Sequence, residues 1–149
     1  MKFSKLALAL AFVAIFGVSL VQAEAGKEKD PLAPRVPADD MEEAKGWKNP
    51  NKATPENIAK GKALFTGKAT CFTCHGNEGK GDGVAGAALD PSPRNFHNAG
   101  LKKKTDGEFM YVIKNGIEGT GMISYAPGII TEEEAALVLL YERSLHDQK

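Results

Sequence analysis

A five-residue motif constrains this chain more than any other feature of its 149 residues. The motif is Cys71-Phe72-Thr73-Cys74-His75, and Cys71 and Cys74 are the chain's two cysteines. The two intervening residues place both thiols on the same side of one helical turn. C-x-x-C-H is the pattern of covalent haem attachment, in which each thiol adds to one haem vinyl group and the histidine can ligate the iron. The motif therefore predicts one haem c, bound covalently through two thioethers, with His75 as an axial ligand.

Two other kinds of site use part of this pattern, and a separate glycine motif follows it in the chain. A thioredoxin-like cysteine pair is expected beside a βαβ unit, and no alternating strand pattern flanks Cys71. A structural zinc site takes four ligands, and the remaining histidines, His97 and His146, have no paired ligand spacing. The segment Gly81–Gly86 matches G-x-G-x-x-G, but a dinucleotide site requires a preceding strand. We therefore favour haem and interpret these glycines as a tight backbone turn near the haem edge.

The first 23 residues have the pattern of a secretory signal peptide. Lys2 and Lys5 precede an apolar run from Leu6 to Val21. The run ends in Val21-Gln22-Ala23, which has small residues at both positions that a signal peptidase reads, and Glu24 follows. A run of about 16 residues is shorter than the ~20 that span a bilayer as a helix. We expect export to the periplasm with cleavage after about Ala23, and a mature form that does not span the membrane. An uncleaved membrane anchor is the alternative.

Charge argues against a nucleic-acid partner. Of the 19 basic and 19 acidic side chains, residues 1–23 contain Lys2 and Lys5 and no acid, so the mature chain has a formal net charge of −2. No strongly basic face is implied. Seven lysines either form a positive rim around the haem edge, which would speed encounter with an acidic partner, or merely solvate the surface. These lysines are Lys60, Lys62, Lys68, Lys80, Lys102, Lys103 and Lys104.

The first of three predicted helices begins after Thr54. Thr54 can cap it, Pro55 suits the first helical position, and Gly67 can end it. Its apolar face holds Ile58, Gly61 and Phe65 at helical spacing. By contrast, residues 24–53 are rich in proline and charge, which predicts an extended N-terminal arm with little core of its own. Trp47 and Met41 are the large side chains of this arm, and we expect Trp47 to anchor it to the domain.

Capping boxes mark the other two helices. Thr105 and Glu108 have the spacing of one box, with Gly116 placed to end that helix. Thr131 and Glu134 have the spacing of the other. Apolar residues follow each start at helical spacing: Phe109, Val112 and Ile113 in one, and Leu137, Leu140, Tyr141 and Leu145 in the other. The prediction is an all-α domain over residues 54–149, with three main helices and long loops wrapped around one haem.

A haem iron in an electron carrier needs a second protein ligand, and five residues have suitable atoms. Met110 falls inside a helix as a core residue, Met41 lies in the arm, and His97 lies in a proline-rich segment. His146 is near the chain end, where we expect a frayed, solvated turn. Met122 lies in the link between the last two predicted helices, which can cross a haem face, and its thioether favours Fe(II). The residues alone favour Met122 over the other four.

Over about residues 54–147 the chain resembles the class I monohaem cytochrome c family. The resemblance rests on the C-x-x-C-H motif, then on the order of an N-terminal helix, the segment 119–123 and a final helix that contains Tyr141. It implies a cytochrome c-like fold with Met122 as the distal axial ligand. Ile123 departs from the proline that often follows this methionine in bacterial relatives, and the arm is longer than in minimal members.

The resemblance also implies two contacts within the fold. The first and last helices should cross at a small residue packed near aromatic side chains, and Gly61, Phe65 and Tyr141 match those positions. A loop proline should offer its carbonyl to the proximal His75, and both Pro91 and Pro93 match that position.

Filled axial positions leave one-electron exchange as the chemistry of the iron. The first hypothesis is therefore an electron carrier, not an enzyme, that exchanges electrons with donor and acceptor proteins. The second is a haem subunit fixed in a larger periplasmic oxidoreductase, with the arm as a docking strap. The third is a ligand-binding or catalytic haem protein in which Met122 does not hold the iron.

Overall fold

Helices account for all the regular secondary structure of residues 33–146, the part of the chain that the computed structural model describes. The α-helices are α1 (Met41–Gly46), α2 (Pro55–Thr66), α3 (Phe72–His75), α4 (Asp106–Asn115) and α5 (Glu132–Leu145), and a 3₁₀ helix spans Ala99–Lys103. No strand occurs among these residues, which confirms the all-α prediction. The predicted signal peptide and its cleavage position lie outside the described residues.

The three main helices begin at the predicted caps. Thr105 Oγ1 accepts a bond from the Glu108 N–H at 3.2 Å, and the Glu108 carboxylate accepts one from the Thr105 N–H at 2.7 Å. Thr131 and Glu134 form the same reciprocal pair at α5, and Thr54 accepts a first-turn N–H at α2. Each cap satisfies backbone donors that have no partner inside the helix.

Helices α2 and α5 cross at Gly61. A Cβ at this position would lie 2.1 Å from the carbonyl oxygen of Leu137, so only a residue without a side chain allows this approach. Beside the crossing, the rings of Phe65 and Tyr141 meet edge-on with centroids 5.2 Å apart, and both are buried. The predicted crossing is confirmed, and it fixes the last helix against the segment that leads into the haem motif.

The N-terminal arm contributes more to the core than its composition suggests. Val36 and Ala44 are buried, and Trp47 packs against the core, as expected. Tyr111 of α4 donates a hydrogen bond from its hydroxyl to the Asp40 carboxylate at 2.6 Å. The prediction of an extended arm is wrong for α1, because packing on α4 stabilises a short helix that local sequence does not signal. Within residues 33–146, no helix is both long and apolar enough to cross a bilayer.

Candidate haem site

The C-x-x-C-H motif forms α3, a single helical turn. The His75 N–H donates to the Cys71 carbonyl at 2.9 Å, which closes this turn. Cys71, Cys74 and His75 consequently face one cavity, and both thiols are half-buried and free. The motif therefore has the helical spacing that its sequence predicts.

A backbone carbonyl orients His75. Its Nδ1 lies 3.0 Å from the Arg94 carbonyl oxygen, so the Nδ1–H tautomer donates there and leaves Nε2 as the ligating nitrogen. Burial lowers the pKa of His75 below its ordinary value, which favours the neutral imidazole that a metal requires. Phe96 stacks on the ring with centroids 4.8 Å apart.

The expected proline carbonyl is not the partner of His75. The acceptor belongs to Arg94, one residue beyond Pro93, so neither Pro91 nor Pro93 holds the imidazole. Both prolines still line the cavity as part of a non-helical loop. The prolines restrict the backbone of this loop, and its path brings the next carbonyl to the ring.

The glycine-rich segment wraps the motif instead of forming a phosphate site. The N–H of Gly81 donates to the His75 carbonyl at 2.8 Å, and the N–H of Gly83 donates to the Cys74 carbonyl at 3.1 Å. These bonds satisfy the carbonyls at the end of α3 that have no partner within the helix. The segment thus supports the position of His75.

Met122 lies in a compact turn between α4 and α5. Its N–H donates to Thr120 Oγ1 at 3.1 Å, and its carbonyl accepts from the Ile117 N–H at 2.8 Å. The side chain is half-buried and lines the same cavity as His75. One cavity therefore contains an imidazole and a thioether from distant parts of the chain.

Among the described residues, Met122 is the one member of the five ligand candidates that lines this cavity. Met110 is only 2% exposed in the core of α4, as expected. His97 Nε2 lies 2.8 Å from the Glu78 carbonyl oxygen, and Met41 lies on α1. The cavity geometry agrees with the choice of Met122.

His146 does not lie in a solvated turn. It is 5% exposed, and its ring centroid lies 5.6 Å from that of Phe109. The expectation of a frayed end is wrong because the last turn of α5 packs against α4. His146 does not line the cavity that contains His75 and Met122.

The cavity suits a haem in its chemistry. Its walls are largely apolar, as a macrocycle requires, and include Phe96, Leu101, Val112, Ile113, Ile130 and Val138. Thiols for two vinyl groups, an imidazole and a thioether all face this space, so the residues present fit a covalently attached haem.

Sequence reasoning missed Arg35, Val36 and Glu142 in the cavity wall. Helical spacing could have indicated Glu142. It lies at i+7 from Ala135, on the same buried face of α5 as Val138 at i+3 and Leu139 at i+4. Burial raises the pKa of Glu142 to about 8. No local pattern marks Arg35 or Val36, since the fold of the arm alone brings them to the cavity.

Ion pairs reduce the positive charge that the seven lysines could present as a rim. Four of the seven pair with glutamates. Three of these pairs are Lys60–Glu56 and Lys68–Glu134, each at 2.7 Å, and Lys80–Glu78 at 2.5 Å. The fourth is Lys104–Glu108 at 3.4 Å, and its lysine turns inward and lines the cavity.

Comparison with known proteins agrees with this site. A search of curated proteins returns no match. A solved structure from the Kuenenia stuttgartiensis reducing HAO-like protein complex Kustc0457/Kustc0458 is 28% identical, with a TM-score of 0.56. The alignment covers 64% of this chain and 46% of that chain. The present chain therefore spans less than half the length of that solved chain. The family model described as "Cytochrome c" matches residues 58–146, more than half of the chain. The chain therefore belongs to the cytochrome c family.

Proposed function

We propose that this protein is a one-electron carrier with one haem c, attached through Cys71 and Cys74 and held axially by His75 and Met122. The observation that carries the proposal is that these four side chains line one apolar cavity. When bound, the haem supplies a one-electron couple. Two protein ligands leave the iron no open position for oxygen or peroxide, so electron exchange with partner proteins is the remaining chemistry.

The residues around the cavity suit this task. The Arg94 carbonyl fixes the orientation and tautomer of His75. Met122 offers a neutral, soft sulfur, which favours Fe(II) and raises the potential relative to an anionic ligand. The largely apolar walls would bury much of the haem, and burial is itself a lever on the potential.

Optical spectroscopy of the purified protein tests this assignment. The oxidised form should show the charge-transfer band of iron–methionine ligation, and carbon monoxide should not change the spectrum of the reduced form. A carbon monoxide complex that forms readily in the resting reduced protein would instead indicate a ligand-binding or catalytic haem.

Export to the periplasm is part of the proposal. It is supported by the basic, apolar and small-residue segments of residues 1–23. N-terminal sequencing of the haem-containing protein from a periplasmic extract should begin at about Glu24. A haem protein that stays in the membrane fraction with Met1 at its N terminus would favour the uncleaved anchor.

A second candidate role is that of a haem subunit fixed in a larger oxidoreductase. The observation in its favour is the likeness to a chain from a protein complex. Size-exclusion chromatography of extracts from the native source discriminates the two roles. A soluble carrier should elute at the size of a small free protein, whereas a fixed subunit should co-elute with its partner at high ionic strength.

A further inference from the structure

The N-terminal arm supplies part of the cavity wall. Arg35 and Val36 face the same cavity as His75 and Met122. Val36 is 5% exposed and Arg35 beside it is half-buried, so this part of the arm is packed against the domain. The arm therefore belongs to the site as well as to the surface.

Two hydrogen bonds hold the arm on either side of Arg35. Lys104 Nζ donates to the Ala33 carbonyl at 3.2 Å on one side. On the other, the Tyr111 hydroxyl donates to the Asp40 carboxylate at 2.6 Å. Both partners belong to the domain, so the position of Arg35 is set by contacts that bracket it.

Close packing of the arm after Arg35 in the sequence also holds the arm against the domain. A Cβ at Gly107 would lie 1.5 Å from the carbonyl oxygen of Ala44, so α1 lies directly on the first turn of α4. Further along, Asn49 Nδ2 donates to the Ala136 carbonyl of α5 at 2.8 Å. The arm is thus attached to α4 and α5, and both helices contribute residues to the cavity wall.

One donor of the Arg35 guanidinium has no partner in this part of the chain. Its Nε is buried and has no hydrogen-bond acceptor among residues 33–146. A buried donor of a charged group is costly when it is left unsatisfied. Two acids line the cavity, but Glu108 pairs with Lys104 and Thr105, and Glu142 forms no ion pair with Arg35 in the described chain. An anion inside the cavity would satisfy this donor.

We propose that Arg35 binds a propionate carboxylate of the haem, which makes the N-terminal arm part of the haem site. This inference rests on the proposed function and deepens it. A haem carries two propionates, and a guanidinium can pair with a carboxylate through two parallel N–H···O bonds. The cavity that holds the ligands of the iron is the one that contains the unsatisfied Nε, so the propionate is an anion that the site itself provides.

The pairing has a consequence that a structural role alone would not have. An adjacent guanidinium lowers the pKa of a carboxyl group by about 1–3. Loss of Arg35 should therefore raise the pKa of one propionate by this amount. It should also lower the midpoint potential, since a positive charge near the haem favours the reduced state.

Proton NMR of the holoprotein measures this pKa through the resonances adjacent to each propionate, followed across pH. Arg35→Gln should raise one propionate pKa by about 1–3 and lower the midpoint potential. Arg35→Lys, which keeps the charge without the paired donors, should give a smaller change of the same sign. The control is Lys45→Gln, which removes an exposed charge from the same arm and should change neither quantity.

Two outcomes would overturn the inference. The first is that both propionates titrate in Arg35→Gln and Arg35→Lys as they do in the wild type, even if the melting temperature falls. The second is that Arg94→Gln shifts a propionate while Arg35→Gln does not, which would assign the pairing to the other arginine of the wall. Failure of the proposed function is recognised separately, because the wild-type protein would then either contain no covalently bound haem or bind carbon monoxide in its reduced form.

Discussion

Glu142 on α5 and Cys71 of the haem motif face the same cavity, and the charge of Glu142 acts on the Cys71 thiol. Burial raises the pKa of the Cys71 thiol to about 12, and the Glu142 carboxylate contributes to this increase. Burial also raises the pKa of Glu142 to about 8, although the charge of Arg143 acts in the opposite direction. An acid that is 5% exposed therefore favours its neutral form beside the attachment site.

This acid should make stability depend on pH. The pKa of Glu142 is 4.5 in the unfolded chain and about 8 in the folded chain. The folded state therefore binds the proton more tightly. The stabilisation is complete below pH 4.5 and is lost as the pH rises through 8. We expect the unfolding free energy to fall over this range by a few kcal/mol, since one pKa unit corresponds to about 1.4 kcal/mol.

Glu142→Gln tests this dependence because it keeps the shape and removes the titration. Urea unfolding of the holoprotein at several pH values between about 5 and 8 should show a flatter profile for the variant than for the wild type. Glu118→Gln changes an exposed glutamate and should retain the wild-type slope. Parallel profiles for Glu142→Gln and the wild type would contradict the assignment.

The α2–α5 crossing predicts an unusual response to alanine. Alanine stabilises a helix interior by about 1 kcal/mol relative to glycine, yet a Cβ at Gly61 would meet the Leu137 carbonyl. Gly61→Ala should therefore destabilise the protein by about 1–3 kcal/mol through overpacking. Gly46→Ala is the matched control, because nothing lies within 4 Å of its added Cβ. Thermal unfolding should show a lower melting temperature for the first variant only; an equal or higher one would contradict the crossing.

The axial assignment is tested by two methionines with different positions. Met122→Ala should abolish the iron–methionine band and lower the midpoint potential, because a ligand that favours Fe(II) is lost. Met110→Ala should keep the band and instead cost about 2–5 kcal/mol of stability, as expected for a truncated core residue. Optical spectra and urea unfolding curves of both variants measure these effects. Loss of the band in Met110→Ala but not in Met122→Ala would assign the axial ligand to Met110 instead.

Local signals were sufficient to predict the main helices. The caps at Thr54, Thr105 and Thr131 act within one turn, so they can be recognised without the rest of the fold. The motif at residues 71–75 predicted the haem site from its own residue types and spacing. The family resemblance predicted the helix crossing at Gly61. Met122 followed from its ligand chemistry and from its place between two helices.

Features that depend on long-range contacts could not be predicted in this way. Helix α1 has six residues and packs closely on Gly107 of α4, a long-range contact that the composition of the arm does not indicate. Arg35 reaches the cavity only because the arm is attached on both sides. The choice of Arg94 over two nearby prolines depends on the path of a loop, which spacing does not define. Likewise, His146 is buried by a neighbouring helix.

Covalent haem attachment through both cysteines is the central claim, and a haem-stained denaturing gel tests it most directly. The wild-type band should carry haem after denaturation, because the two thioethers persist when the fold is lost. Cys71→Ala and Cys74→Ala should each carry less haem than the wild type. The double variant should carry none, whereas full retention of haem in the double variant would contradict the account.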